Sequence, residues 1–159
     1  MIADTDPAHA AIEAARSLRE AVQETRRRAE AFVQAKPMRR VLIVEDDAVY
    51  ASIIADVLRQ EISDADIEIL GDYRAARAAL ADDAPLPGVA IIDCHLAGGY
   101  GWTIANDAPR NVAIILMSAA VEPHMLERLA DGVHAEWWEK ASSIDGLDEL
   151  AALVRERLG

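Results

Sequence analysis

Between Met38 and Gly159 the chain alternates, five times over, between a short apolar run and a stretch of helical spacing. The runs Val41–Val44, Ile67–Leu70, Val89–Ile92, Val112–Met117 and Val133–Trp138 read as strands. The first is continuously apolar, as a strand covered on both faces should be. After it, Val49, Ile53, Ile54, Val57 and Leu58 share one helical face. An alanine-rich helix is expected from about Asp72 to Asp82, and Pro85, Pro87 and Gly88 mark the loop before the third strand. A short helix should follow Gly101 and end near Ala108. Another spans Pro123–Ala130 and is closed by Asp131 and Gly132. The last, Ile144–Leu158, carries Leu147, Leu150, Ala151, Val154 and Leu158 on one side. Parallel strands need crossover helices, so this order predicts an α/β fold with a doubly wound five-stranded parallel sheet over residues 39–159.

Residues 1–38 obey a different pattern and read as a long N-terminal helix. Asp6 can cap it, Pro7 suits its first position and Pro37 stops it. Ala11, Ala15, Leu18, Val22, Thr25, Ala29 and Phe32 follow spacings of four and three, a stripe of the kind two helices share. Many of these side chains are small. Two expectations stand equally: a homodimer through residues 8–36, or packing of the stripe on the chain's own sheet domain. The Arg26–Arg28 run reads as a solvated face.

Charge follows the same division. The 28 acidic and 16 basic residues give a net charge of −12. Residues 1–38 hold six of each, so residues 39–159 carry the whole excess. That balance argues against nonspecific binding to nucleic acid or to an anionic membrane. Cys94 stands alone, which excludes an internal disulfide or a CxxC motif. No apolar run approaches the roughly 20 residues of a membrane span, and no signal-peptide core opens the chain. The cytoplasm is the expected setting.

In an open parallel sheet, ligands bind beyond the carboxyl ends of the strands, where the strand order reverses. At those ends this chain has Glu45, Asp46 and Asp47 after the first strand and Asp93 after the third. Ser118 follows the fourth strand and Lys140 the fifth. Lysine occurs only twice, at Lys36 and Lys140, against 14 arginines. Hard divalent cations take carboxylate oxygens and water. If Glu45, Asp46 and Asp93 converge, Mg²⁺ and Lys140 offset their three negative charges. Asp93 could then act as a carboxylate nucleophile toward phosphorus, with Lys140 and Ser118 contacting the phosphoryl oxygens.

At these residues the chain resembles the receiver domain of two-component response regulators. The likeness runs from about Arg39 to Leu158 through VLIVEDD (41–47), IIDCHLAGGYG (91–101), ILMSA (115–119) and WWEKAS (137–142). It implies a flavodoxin-like receiver fold, phosphorylation of Asp93, and Mg²⁺ held by Glu45, Asp46, Asp93 and the main-chain carbonyl of His95. It also implies phosphate contacts from Ser118 and Lys140, access past the small Ala119, and a switch formed by Ser118 and Trp137. The implied donor is a histidine kinase or a phosphotransfer protein, and the implied output is binding to a downstream protein. Three departures stand out. Ala97 and Ala141 replace the family's usual prolines, so the loop at Lys140–Ser142 is expected to differ in shape. The interval of 25 residues from Asp93 to Ser118 is short, and the third helix should shrink to a turn or two. Trp137 is bulkier than the usual aromatic residue.

Plainer roles are expected elsewhere. Asp47 reads as a helix cap or a bystander, Cys94 as a small half-buried side chain, Trp138 as core or a solvent-facing neighbour of Trp137, and Trp102 as a cover over the short third helix. Met125, Leu126 and Leu129 read as core or partner surface. The histidines lack ligand spacing, and the surroundings of His9 do not resemble a phosphorylated kinase histidine. No output domain is expected after the last helix, so signalling would proceed by binding, relay or self-association. Two other functions compete with this signalling role, in which the chain is not an enzyme acting on a separate substrate. One is a degenerate receiver serving as a phosphorylation-independent scaffold. The other is a Mg²⁺-dependent phosphatase of the haloacid dehalogenase type with Asp93 as nucleophile, although His95 occupies the position where that class needs an acid.

Overall fold

The computed structural model describes residues 13, 16–25, 27, 39–81, 84–120, 123, 127, 132, 134–140 and 143–159. Two compact units divide the chain, Met1–Pro37 and Met38–Gly159. In the first, residues 16–25 are helical (α1), as are Glu13 and Arg27. Arg16 pairs with Glu20 one turn on, at 3.3 Å, and the Thr25 hydroxyl donates to the Ala21 carbonyl. The stripe residues Leu18 and Val22 are 66% and 59% exposed. Asp6, Pro7, Ala11, Ala15, Ala29, Phe32 and Pro37 lie outside the described residues.

The second unit runs β1 (Arg39–Val44), α2 (Ala48–Glu61), β2 (Ala65–Leu70), α3 (Tyr73–Ala79) and β3 (Val89–Asp93). A small hairpin, β4 (His95–Leu96) and β5 (Gly99–Tyr100), leads into α4 (Gly101–Asp107). Then come β6 (Ala113–Ser118), β7 (Glu136–Glu139) and a C-terminal helix, Ile144–Leu158. The five long strands form one parallel sheet in the order β2-β1-β3-β6-β7, as the five-fold alternation predicts. The chain winds outward from β1 to β2 and then back across to β3, so the order reverses between β1 and β3.

Alternation along the strands builds two layers. Val41, Ile43, Ile91, Ile115 and Met117 face α2 and the C-terminal helix through Ala51, Ile54, Leu58, Leu150 and Val154. Leu42, Val44, Ile92 and Leu116 face α3 and α4 through Ala76, Ile104 and Ala105. Burial on both faces is why the strands read as continuous apolar runs. Asp47 caps α2, its side chain accepting from the Val49 and Tyr50 N–H groups, and Asp72 caps α3. Cys94 is buried, and Trp138 packs beside the first layer.

Several boundaries differ from expectation. Strand β7 begins at Glu136 rather than Val133, because only Glu136–Glu139 pair with Ile115–Ser118 of β6. Strand β6 runs one residue later than Val112–Met117, since Asp93 pairs with Met117 at its far end. Helix α3 stops at Ala79, where Leu80 leaves helical geometry and turns into the core. The short helix after Gly101 is α4, seven residues long. Trp102 sits within α4 and stacks on Tyr100, with ring centroids 4.0 Å apart. The β4–β5 hairpin is new: Gly98, at φ +93°, makes the tight turn that a side chain would strain. Of the helix expected at Pro123–Ala130, Pro123 and Glu127 are helical. Its other members, including Met125, Leu126 and Leu129, lie outside the described residues, as do Ala141 and Ser142.

Candidate phosphoryl and metal site

Strand register assembles the site. Val44 pairs with Ile92, so the next residues, Glu45 and Asp93, emerge side by side where the strand order reverses. On the other side of β3, Asp93 pairs with Met117, and Ser118 pairs with Glu139. The Lys140 N–H donates to the Ser118 carbonyl at 2.8 Å, which continues the ladder one residue further. Among the described residues, Glu45 (1% exposed), Asp93 (5%) and Ser118 (3%) are the buried polar or charged side chains. All three stand at this edge. A core that otherwise excludes polar groups admits them in one place.

Carboxylate oxygens of Glu45, Asp46 and Asp93 lie within 4.8 Å of one another. Lys140 Nζ donates to Asp93 Oδ2 at 2.9 Å and forms an ion pair with Glu45 Oε2 at 2.8 Å. The His95 N–H donates to Asp93 Oδ1, and the Asp47 N–H donates to Glu45 Oε1. Asp46 Oδ2 accepts from the Ala97 N–H at 3.1 Å, tying the acidic loop after β1 to the hairpin after β3. Glu45 Oε2 is buried and, despite its ion pair, has no donor aligned for a hydrogen bond. The cation facing this oxygen is the Lys140 ammonium, and the three hard oxygen donors clustered here suit Mg²⁺ or a similar divalent ion. The donor set therefore fits the metal.

Electrostatics match the crowding. Burial pushes the Glu45 carboxyl above its ordinary value of 4.5; the adjacent Lys140 ammonium opposes this, and the Asp93 charge reinforces it. Burial alone would lower the Lys140 ammonium, but the close contacts and charges of Asp93 and Glu45 outweigh it. The net shift is upward from 10.5.

Sequence reasoning placed Glu45, Asp46, Asp93, Ser118 and Lys140 at one strand edge, and the structure gathers them there. Ser118 has its hydroxyl hydrogen-bonded to the Ala120 carbonyl at 2.9 Å. Trp137 is half-buried beside the α3–α4 layer, and its indole N–H is buried with no hydrogen-bond partner among the described residues. Two participants were missed. The Tyr50 ring lies beneath Lys140 Nζ, 5.2 Å from its centroid. Gly101 sits so close to β3 that a Cβ there would fall 2.1 Å from the Asp93 carbonyl oxygen. The IIDCHLAGGYG motif contains that glycine but does not show what it touches.

No protein-family model and no curated protein matches the chain. Solved structures do match in fold. The phosphorylated cyanobacterial phytochrome response regulator RcpA aligns with a TM-score of 0.63 at 16% identity, over 74% of this chain and 91% of that one. The Mn²⁺-bound form of response regulator Rcp1 gives 0.61 at 18% identity, over 74% and 92%. The signal receiver domain of a DNA-binding response regulator from Colwellia psychrerythraea 34H gives 0.60 at 24% identity, over 74% and 98%. With its parallel sheet in the order β2-β1-β3-β6-β7 and helices on both faces, the chain has the fold of a response-regulator receiver domain.

Proposed function

We propose that residues 39–159 are a phosphoacceptor receiver of a two-component or phosphorelay system, phosphorylated on Asp93. The observation that carries this reading is the contact of one ammonium, Lys140 Nζ, with both Asp93 Oδ2 and Glu45 Oε2, beside the exposed Asp46. Phosphoryl transfer asks mainly for positioning and charge compensation, and this site supplies both. A carboxylate oxygen of Asp93 attacks phosphorus, an O–P bond forms, and the bond to the donor's leaving group breaks. Lys140 turns from the carboxylates toward the phosphoryl oxygens. Ser118 exchanges its bond to the Ala120 carbonyl for one to the phosphoryl group. Glu45, Asp46, Asp93 and the His95 carbonyl would hold Mg²⁺, which when bound would supply positive charge for the transferring group. Trp137, on the strand leading to Lys140, carries the change outward.

Solved proteins of the same fold include a phosphorylated response regulator and a Mn²⁺-bound one, which supports the same use of this site. The donor is a histidine kinase or phosphotransfer protein. Val49 and Ile53, 71% and 44% exposed on α2 just past Asp47, give it an apolar rim to rest on. The exposed pair Leu18 and Val22 is the proposed surface for self-association. A cytoplasmic setting, with neither nucleic acid nor membrane as partner, suits the acidic surface. Among the described residues no helix is long and apolar enough to cross a membrane.

Incubation with acetyl phosphate and Mg²⁺, followed by intact mass measurement, tests the reading. One added phosphoryl group is expected, lost in Asp93→Asn. No addition under any Mg²⁺ concentration would leave the phosphorylation-independent scaffold as the better account. Steady turnover of a generic phosphomonoester would favour the phosphatase.

A further inference from the structure

We propose that Tyr50 is a positioning residue for Lys140, its ring face holding the ammonium within reach of the phosphoryl site. The inference rests on the phosphoacceptor reading for its consequence, but not for its geometry. Among the described residues Lys140 Nζ meets Asp93 Oδ2 at 2.9 Å, Glu45 Oε2 at 2.8 Å and the Tyr50 ring, 5.2 Å to its centroid. A cation at that distance from an aromatic face is attracted by the ring's negative quadrupole.

The three contacts differ in what happens to them during the reaction. Both carboxylates are committed elsewhere once a divalent ion binds them or Asp93 takes a phosphoryl group. The aromatic face is consumed by neither event. It also carries no charge, so it retains the ammonium without neutralising it. Tyr50 itself is well fixed. It lies in the first turn of α2, its backbone N–H held by the Asp47 side chain, and its side chain packs against the layer containing Ala51 and Leu150. A flexible four-carbon stem would otherwise sample many rotamers when its carboxylate partners let go. The ring narrows that search to the neighbourhood of Asp93.

The test uses the full chain with Tyr50→Phe and Tyr50→Leu. Only Lys36 and Lys140 are lysine, so selective lysine labelling gives two ε-methylene signals in a nuclear magnetic resonance spectrum. The Lys140 signal is expected upfield of the Lys36 signal through the ring current. It should stay there in Tyr50→Phe and move to the position of an ordinary lysine in Tyr50→Leu. Phosphorylation by acetyl phosphate with Mg²⁺ should be unchanged in Tyr50→Phe and slowed about three- to tenfold in Tyr50→Leu, the scale of one lost cation–π contact. An unshifted Lys140 signal in the native chain, or a shift that moves in Tyr50→Leu with no change in rate, overturns the proposal. If the shift behaves as expected but neither native protein nor any variant is phosphorylated, the seat stands and the phosphoacceptor reading falls.

Discussion

Lys140 is one of two lysines in a chain with 14 arginines, and its surroundings give that choice a physical reason. Its ammonium must approach two buried oxygens from one point, at 2.8 and 2.9 Å. A planar guanidinium is broader, and its donors diverge. Lys140→Arg is therefore expected to lower the rate of Asp93 phosphorylation by about a hundredfold, the scale of a lost charge-stabilising donor, as measured with acetyl phosphate. Glu45 gives a pH prediction. A carboxyl whose folded value is raised binds its proton more readily in the native state. Its contribution is full below 4.5 and is lost as pH rises through the raised value. In chelator, thermal melts should show the native protein losing ground to Glu45→Gln as pH rises above about 4.5. Lys140, raised from 10.5, loses its contribution only in alkali. The identities of these residues were legible because strand-end positions follow from apolar runs alone. The bond from Ser118 to the Ala120 carbonyl was not, since a hydroxyl's choice between acceptors depends on side-chain rotation that spacing does not encode.

At the level of elements, the β4–β5 hairpin and α4 form the segment that presents Asp93. The start of α4 rests directly on the Asp93 backbone, and the Gly101 N–H donates to the Cys94 carbonyl at 3.0 Å. Gly101→Ala would place its Cβ 2.1 Å from the Asp93 carbonyl oxygen and 2.9 Å from Ile92 Cγ2. Backbone cannot yield as a side chain does, so urea unfolding should show a loss of about 3 kcal/mol or more. Removing the α2 cap is milder: Asp47→Ala should cost about 1 kcal/mol, with Mg²⁺ affinity nearly retained because the Asp47 side chain serves the helix, not the cation. The short third helix was readable as a deficit in length, the interval from Asp93 to Ser118. The hairpin was not, because its two-residue strands are too brief for any periodicity. The late start of β7 was hidden for a related reason. Val133 suits a strand, but pairing with β6 fixes where the strand begins, and Arg157 clasps Glu136 there through two hydrogen bonds.

Over the whole molecule, the net charge of −12 belongs to the sheet unit, and part of it is concentrated where repulsion can be relieved by a ligand. If Mg²⁺ binds the assembled strand ends and not the unfolded chain, it should raise the melting temperature with the logarithm of its concentration. The gain is about 2.7 kcal/mol at a hundred times the dissociation constant. Asp46→Asn should abolish most of it, while the metal-free melt holds or rises, because one of three repelling charges is removed and the amide oxygen can still accept from the Ala97 N–H. Self-association belongs to this scale too. Sedimentation of the full chain separates the two expectations for the stripe: a dimer that Val22→Asp turns into a monomer, or a monomer throughout if the stripe packs on its own sheet domain. The fold class was legible because five βα units admit few topologies, whereas a stripe of mostly small side chains does not specify its own partner. Strand β7 has one more consequence. Trp137 and Trp138 point into opposite layers of the same edge strand, and neither buried indole N–H has an acceptor among the described residues. Each indole then reports, by its emission colour, on the polarity of one layer alone. With Trp102 and one member of the pair replaced by Phe, the remaining indole would show whether a chemical event at Asp93 is felt on its side of the sheet.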